Sequence, residues 1–285
     1  MTSWLKVPMK RTGEAVKVRP YFLSLDQEEF CSHFNTLFYS QLYAQTNNRE
    51  LFIYDKSTVI SPSYALLQET FAAVPEVTYI SEMKPAATLL HAKEASRFAP
   101  LLSSRSVQDL RTKAREALTW NPVMLGKMLP VLEENYLPPD NNIDVGIHIR
   151  APVKFDSVRA PAVQTYVEAV AGVATRLGKT DISVFVMVDE PAQFEEFKRL
   201  APKTWVLFTI HPRNGLVRGG KIGTMGRHSV VVKLAAYVEY LTELYCMQKC
   251  SNIICNLSID TGRFLYLTAS ATSFRSLDVP TWTPF

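Results

Sequence analysis

Residues 143–150 read IDVGIHIR, and the α/β structure predicted for the chain is organised around this stretch. β-Favouring side chains stand at every second position from Val145, and the polar residues 140–142 predict a turn ahead of them. The strand runs out into His148 and Arg150, which share a face because alternate strand residues point the same way. Ligands of open α/β sheets bind beyond the carboxyl ends of the strands, where this pair would lie.

An arginine in that position can form a two-pronged bond to a phosphate, and it stays charged at any working pH. The pattern also fits an edge strand, with Arg150 in solvent and His148 hydrogen-bonded inside the core. The stretch by itself favours neither interpretation, so the remaining sequence has to decide between them.

The composition is that of a globular protein with room for two ordinary domains or one large domain. The chain has 285 residues, of which 47% are hydrophobic and 20% charged. No run approaches the ~20 apolar residues of a membrane span, and the basic N-terminus lacks the apolar segment of a secretory signal. We therefore expect a cytoplasmic protein without a membrane span.

Charge and cysteine usage narrow the range of partners. The net charge of +4 is mild, and the scattered lysines and arginines predict a small anionic ligand and no nucleic acid. The cysteines are Cys31, Cys246, Cys250 and Cys255. They form no CxxC pair, so we expect reduced, buried thiols and no zinc site.

The first part of the chain predicts mixed α/β structure. A helix is expected from Leu25 to about Asn47, and the apolar segment 51–54 predicts a strand that ends in Asp55. Asp55 would then face a ligand at the carboxyl end of a strand, or it would be an ordinary turn residue. His91 lies near a stretch of helical character, and we expect it to be structural.

A domain boundary is predicted near the middle of the chain. Helices are expected over 106–135, with breaks at the prolines, and the proline- and asparagine-rich segment 137–142 is typical of a linker. We therefore divide the chain into an N-terminal domain, 1–140, and a C-terminal domain, 141–272. The tail, 273–285, is expected to pack back on the N-terminal domain.

The second half alternates strands and helices. The apolar run 182–188 is typical of a parallel strand buried on both faces, and it ends in Asp189 and Glu190. Further strands are predicted at 205–210 and 252–255, with helices between the strands. This order predicts a parallel sheet with right-handed crossovers.

Two segments of the second half could bind an anion. The loop 211–229 is rich in glycine and cations, which suits either a cover for a nucleotide diphosphate or a solvated loop. The last strand runs into NLSIDTGRFLY (256–266), where a helix begins among small and polar residues. The N–H groups and dipole of such a helix start can bind a phosphate, although an ordinary capped helix explains part of the pattern.

Three of these segments together resemble the nucleotide-binding domain of the inverting fucosyltransferases, which include α1,6-fucosyltransferases and protein O-fucosyltransferases. The first motif of that family is a strand that ends in His-x-Arg, matched by GIHIR. The second is a strand that ends in acidic residues and proline, matched by VFVMVDEP. The third is a strand followed by a serine-rich turn and a helix that opens with arginine, matched by NLSIDTGRFLY. The resemblance covers residues 141–272 and implies a GT-B fold, in which two Rossmann-like α/β domains face each other across a cleft.

The resemblance also implies roles for individual residues. Arg150 would bind the β-phosphate and stabilise the leaving nucleotide, and His148 would contact the nucleotide or orient the site. Glu243 would face the base, and Lys154 falls where the α1,6 enzymes carry a functional lysine. The other residues expected around the nucleotide sugar are Asp189, Glu190, Ser258, Asp260, Thr261, Gly262 and Arg263, the last five holding the pyrophosphate.

The sequence departs from the family pattern at three positions. Ala151 stands where the α1,6 enzymes have a second arginine, Val158 replaces a glutamate that is a candidate base, and Ile259 replaces a second serine. Asp156 and Asp55 are then the candidate general bases, one from each side of the cleft. The departures leave the donor open between GDP-fucose and a pentose donor such as UDP-xylose.

The resemblance implies an inverting glycosyltransferase that moves a sugar from a nucleotide-diphosphate sugar to a hydroxyl of a glycan or glycoprotein acceptor. The sequence has no DxD motif, and fixed cations with a helix N-terminus can neutralise the leaving phosphate, so no metal or other cofactor is expected. The chain length suits a bacterial or large-virus enzyme, such as the cytosolic glycosyltransferases of chloroviruses, working in the host cytoplasm. A nucleotide- or glycan-binding protein of the same fold without turnover is the alternative.

Overall fold

The protein was analysed as a computed structural model that describes residues 20–25, 30–48, 50–55, 70–71, 77–79, 89–91, 105–137, 142–151, 160–211 and 229–281. For residues 20–25, 54–55, 77–79 and 89–91 the description covers the course of the backbone.

The first half of the described chain contains a parallel sheet. Its strands are β1 (Pro20–Leu25), β2 (Glu50–Asp55), β3 (Val77–Tyr79) and β4 (Leu89–His91), in the order β3-β2-β1-β4. The helix α1 (Phe30–Thr46) connects β1 to β2, as a parallel pair requires.

The second half contains a larger parallel sheet. Its strands are β5 (Val145–Ile149), β6 (Ser183–Val188), β7 (Val206–Phe208), β8 (Asn252–Cys255) and β9 (Ser273–Ser276), in the order β7-β6-β5-β8-β9. The strand β5 is therefore central and fully buried, so the edge-strand interpretation of residues 143–150 is wrong.

The described ranges contain six further helices. They are α2 (Val107–Ala117), α3 (Pro122–Glu134), α4 (Val163–Leu177), α5 (Pro191–Leu200), α6 (Val230–Lys249) and α7 (Asp260–Thr268). Gly178 ends α4 in the left-handed conformation, with φ of 65°, which glycine adopts without strain. None of the described helices is both long and apolar enough to cross a membrane.

Two apolar cores hold the helices to the second sheet. One lies under α4 and α5 and takes Val145, Ile147 and Ile149 from β5. The other lies on the opposite face and joins α6 and α7 to α1, α2 and α3 of the first half. In this second core the Phe34 ring meets the Phe264 ring edge-on, with centroids 4.9 Å apart, so helices from both halves share one apolar interior.

Most predicted elements of the second half are confirmed, including β8 at the predicted boundaries and the helix α5 between β6 and β7. Three predictions are wrong. Leu25 is the last residue of the strand β1 (Pro20–Leu25), and the helix described after it begins at Phe30. Residues Leu89–His91 form the strand β4 and not a helix, and Pro130 lies inside α3 without breaking it.

The tail begins with a strand that the sequence does not predict. Residues Ser273–Ser276 form β9, which pairs in parallel with β8 and extends the second sheet, while the expected packing of the tail on the N-terminal domain stays a prediction. The segment has a single large apolar side chain, Phe274, and its partner strand lies 21 residues earlier, so no local pattern identifies it as a strand.

Candidate active site

The carboxyl ends of β5, β6 and β8 meet at one edge of the second sheet because all three strands are parallel. The residues that leave these strands are Arg150, Asp189 and Asn256. The three segments that the sequence singles out are thus brought together at a single edge.

Asp189 ties the end of β5 to the end of β6. One carboxylate oxygen, Oδ1, lies 3.2 Å from His148 Nε2, and the other, Oδ2, accepts the Ala151 backbone N–H at 3.0 Å. The Asp189 backbone N–H donates in turn to the Ile149 carbonyl at 3.2 Å. Burial raises the pKa of the Asp189 carboxyl, but the bonds from His148 and Ala151 and the charge of Arg150 outweigh it, so the pKa is lowered.

His148 is 2% exposed and points to the α6 side of the sheet, opposite to its apolar neighbours in β5. Because the Asp189 carboxylate only accepts, Nε2 carries the proton of this hydrogen bond. Its other ring nitrogen, Nδ1, has no hydrogen-bond partner among the residues that the structure describes. The imidazole is therefore fixed in orientation at the base of the site.

The backbone around Arg150 is held from two sides. The Arg150 carbonyl accepts a hydrogen bond of 2.8 Å from Gln193 Nε2, in the first turn of α5. The Tyr166 hydroxyl, from α4, meets the Arg150 backbone N–H and donates to Asn256 Oδ1 at 3.0 Å. Tyr166 therefore links the ends of β5 and β8 and fixes the point from which the Arg150 side chain extends.

The helix α7 begins immediately after the turn at 256–259. In the described chain no side chain caps its N-terminus, where Ile259 is the last non-helical residue. The first N–H groups of a helix have no partner inside the helix, so a helix start of this kind can receive an anion. Arg263 lies one turn further on, with Nη1 3.4 Å from Asp260 Oδ1.

The helix α1 contributes a polar contact at the same place. Asn35 is 3% exposed, and its Nδ2 donates to the Asp260 carbonyl at 3.1 Å and to Asp260 Oδ1 at 3.4 Å. The Tyr240 hydroxyl, from α6, lies 3.4 Å from Thr261 Oγ1. The start of α7 is thus fixed by residues from both halves of the chain.

Gly262 allows the closest backbone approach in the site. A β-carbon at this position would stand 1.8 Å from the Asn256 carbonyl oxygen and 2.7 Å from its carbon. Only glycine lets α7 pack this closely on the turn that precedes it. The sequence placed Gly262 in the site, and the structure supplies the steric reason for a glycine there.

Asp278, which the sequence analysis did not select, lies beside the turn. Its carboxylate accepts the backbone N–H groups of Leu257 and Ser258, at 2.9 and 3.1 Å, and also the Ser258 hydroxyl. Burial raises the pKa of this carboxyl, but hydrogen bonds from Ser258 and Ser276 outweigh it, so the pKa is lowered. The only local signal was the Ser-x-Asp pattern of a turn, which says nothing about a partner 20 residues away.

The other predicted site residues are less closely tied to this edge. Glu190 is exposed and precedes α5, where its N–H bonds to Gln193 Oε1 at 3.0 Å. Glu243 is 3% exposed within α6, one turn beyond Tyr240. Asp55 ends β2, and its side chain lies outside the described residues.

Three further predictions fall on residues that the structure does not describe. Lys154 and Asp156 lie within 152–159, and most of the glycine-rich loop lies within 212–228. In the described ranges, no group of three or more histidine, cysteine, aspartate or glutamate side chains could hold a metal ion.

No protein-family model and no curated protein sequence matches the chain. Solved structures with a similar fold include NodZ α-1,6-fucosyltransferase soaked with GDP-fucose, at 14% identity and a TM-score of 0.53, covering 88% of this chain and 93% of that one. Fucosyltransferase NodZ from Bradyrhizobium is 13% identical, with a TM-score of 0.50 and coverage of 88% and 94%. A variant of Arabidopsis thaliana FUT1 in complex with GDP is 9% identical, with a TM-score of 0.51 and coverage of 90% and 70%. The chain therefore has a fucosyltransferase-like GT-B fold.

Proposed function

We propose that this protein is an inverting, metal-independent glycosyltransferase that moves a sugar from a nucleotide-diphosphate sugar to a hydroxyl of a glycan acceptor. One observation carries the proposal. In a fucosyltransferase-like fold, the ends of β5, β6 and β8 bring Arg150, the His148–Asp189 pair and the start of α7 to one edge of the sheet.

Cleavage of a sugar–diphosphate bond leaves negative charge on the β-phosphate, and catalysis has to stabilise that charge. Arg150 is suited to this role because its backbone is fixed by Gln193 and Tyr166 while its fork-shaped side chain leaves the end of β5. The first N–H groups of α7 and the Arg263 guanidinium would hold the pyrophosphate. These groups supply fixed positive charge without a metal ion.

The His148–Asp189 pair would organise the site. Asp189 uses both carboxylate oxygens to hold the backbone and the imidazole at the end of β5. His148, held by Asp189, would then contact the nucleotide or orient the site. We assign Asp189 to positioning.

The acceptor would enter between an N-terminal domain, residues 1–140, and a C-terminal domain, residues 141–272. Asp55 stands at the carboxyl end of β2, where a residue of the first domain would face such a cleft. An inverting displacement needs a base on the face of the sugar opposite the leaving group. Asp55 and Asp156 are the two candidates for this base.

For the donor we favour a GDP-sugar over a UDP-sugar. The solved structures with this fold include fucosyltransferases with GDP-fucose or GDP. Glu243 would face the base, as a carboxylate can accept the N–H groups of guanine. A pentose donor such as UDP-xylose is the competing choice.

A thermal-shift panel of GDP-, UDP- and dTDP-sugars, followed by a transfer and donor-hydrolysis assay, tests the proposal. We expect one nucleotide class to raise the melting temperature, because a ligand that binds the folded state stabilises it. Turnover should persist in EDTA. Activity that vanishes with EDTA and returns with manganese would contradict the metal-independent mechanism, and the absence of any nucleotide binding would contradict the function itself.

A binding protein without turnover is favoured by one observation. Ala151 stands where the α1,6 enzymes carry a second arginine, so this position supplies no second positive charge for the leaving phosphate. Its side chain is buried, with the residue 4% exposed, and its N–H is bound to Asp189. Binding of a nucleotide sugar with no hydrolysis or transfer over a panel of glycan acceptors would select this second function.

A further inference from the structure

The Asp278 carboxylate accepts five hydrogen bonds from the residues around it. Oδ1 accepts the backbone N–H groups of Leu257, at 2.9 Å, and Val279, at 2.7 Å, as well as the Ser276 hydroxyl at 2.7 Å. Oδ2 accepts both the N–H and the hydroxyl of Ser258. An internal carboxylate therefore uses the N–H groups of the turn that directly precedes α7.

The position of this carboxylate is fixed by the second sheet. The strand β9 pairs in parallel with β8, with Ser276 opposite Cys255. The next N–H, that of Leu277, donates to the Cys255 carbonyl at 3.1 Å, and Leu277 packs against the apolar core under α4. Asp278 thus follows two anchored residues, and its carboxylate is placed by strand pairing and packing.

The contacts of Asp278 separate the N–H groups of the turn at 256–259 from those at the start of α7. The N–H groups of Leu257 and Ser258 bind the carboxylate, whereas Asp260, Thr261 and Gly262 form the first turn of α7, whose N–H groups have no partner inside the helix. A second anion is repelled by the first at the same donors. A phosphate is therefore directed away from Ser258 and toward the start of α7.

We propose that Asp278 is a positioning residue for the nucleotide-sugar donor, because it sets the shape of the turn at 256–259 and confines the pyrophosphate to the first turn of α7. The inference rests on the proposed function and deepens it. Ser258 then acts through Asp278 by holding the turn, while the direct phosphate contacts come from α7 and from the arginines.

The test compares full-length Asp278→Ala and Asp278→Asn with the unaltered protein. Asp181→Asn is the matched control, because it removes an exposed carboxylate near the amino end of β6, at the opposite edge of the sheet. Calorimetry with GDP and with UDP gives the Kd, steady-state kinetics give kcat and the donor KM, and urea unfolding gives the stability.

We expect Asp278→Ala to weaken nucleotide binding roughly tenfold or more, as the loss of one or two charge-assisted hydrogen bonds implies. The donor KM should rise in proportion, while kcat at saturating donor changes far less. Asp278→Asn keeps one acceptor oxygen but turns its amide toward the Ser258 N–H, so it should show a smaller change in the same direction. Asp181→Asn should bind like the unaltered protein.

A merely structural role predicts a different pattern, in which both variants lose stability but bind the nucleotide with unchanged Kd. That result would overturn the inference while leaving the proposed function intact. If Asp278→Ala does not fold, an unchanged Kd for the folded Asp278→Asn protein overturns it equally. Failure of the unaltered protein to bind any nucleoside diphosphate would overturn both proposals.

Discussion

The backbone of Gly262 lies so close to the Asn256 carbonyl that a β-carbon on residue 262 would come within 1.8 Å of the oxygen. The obstacle is backbone, which cannot swing aside as the end of a side chain can. The start of α7 is thereby pressed onto the turn at 256–259. Any side chain at position 262 has to move one of these two segments.

We predict that Gly262→Ala destabilises the protein by about 1–3 kcal/mol, the usual cost of overpacking. The clash outweighs the gain of about 1 kcal/mol that alanine brings to a helix interior. Urea unfolding measures the difference. Gly126→Ala in α3 is the matched control, because a β-carbon there meets nothing within 4 Å and should be neutral or stabilising. Equal effects of the two substitutions would contradict the steric account.

Arg150→Ala should lower the transfer rate roughly a hundredfold or more, as the loss of a charge contact in the transition state can do. Arg150→Lys keeps the charge but not the two-pronged geometry, so it should recover only part of the rate. A radiolabelled transfer or donor-hydrolysis assay measures both. Arg199→Ala, on the exposed face of α5, serves as the control. Near-normal turnover by Arg150→Ala would exclude its role at the phosphate.

Tyr166→Phe should destabilise the protein by about 1–3 kcal/mol, because Asn256 Oδ1 loses its buried donor. The Asn256 Nδ2 atom already has no partner among the described residues, so the amide would be left without compensation. Denaturant unfolding gives the stability, and nucleotide affinity should fall as well, since the ends of β5 and β8 lose their link. An unchanged midpoint would show that water replaces the hydroxyl.

The Asp189 carboxyl has a lowered pKa in the folded protein, so its ionised form stabilises the fold. For a carboxyl of this kind the contribution is complete above the unfolded pKa of about 4, and it disappears as the pH falls through the lower folded pKa. Asp189→Asn should therefore be less stable than the unaltered protein at pH 7. The difference in unfolding free energy between the two proteins, measured by urea unfolding at a series of pH values, should narrow only below about pH 4. A gap that stays constant down to pH 2 would contradict this origin.

The strands that carry the site could be predicted because each is an apolar run long enough to cross a buried parallel sheet. β6 and β8 have this pattern, and the polar residues after them mark the functional edge. The sequence also indicates which residue types lie there: His148, Arg150, Asp189 and Gly262. Their spacing along the chain does not reveal their contacts, such as the bond from His148 to Asp189, 41 residues away.

The parts that escaped prediction depend on pairing between distant segments. β9 has a weak strand pattern and exists because β8 offers it an edge. Tyr166 lies among the buried apolar residues of α4, and Asn35 lies in a helix that is buried almost all round, where polarity does not mark a face. Tyr166 and Asn35 gain their roles only when partners 90 and 225 residues away are in place.

The shared apolar interior of α1 and α7 has a consequence for the order of synthesis. Phe34 leaves the ribosome about 230 residues before Phe264, the ring it packs against, since the two positions lie 34 and 264 residues from the N-terminus. Until α7 emerges, the Phe34 ring lacks this edge-on partner, and the side of α1 that will contact α7 is open to solvent or to chaperones. The packing between α1 and α7 is therefore completed only after the segments that lie between them have been synthesised.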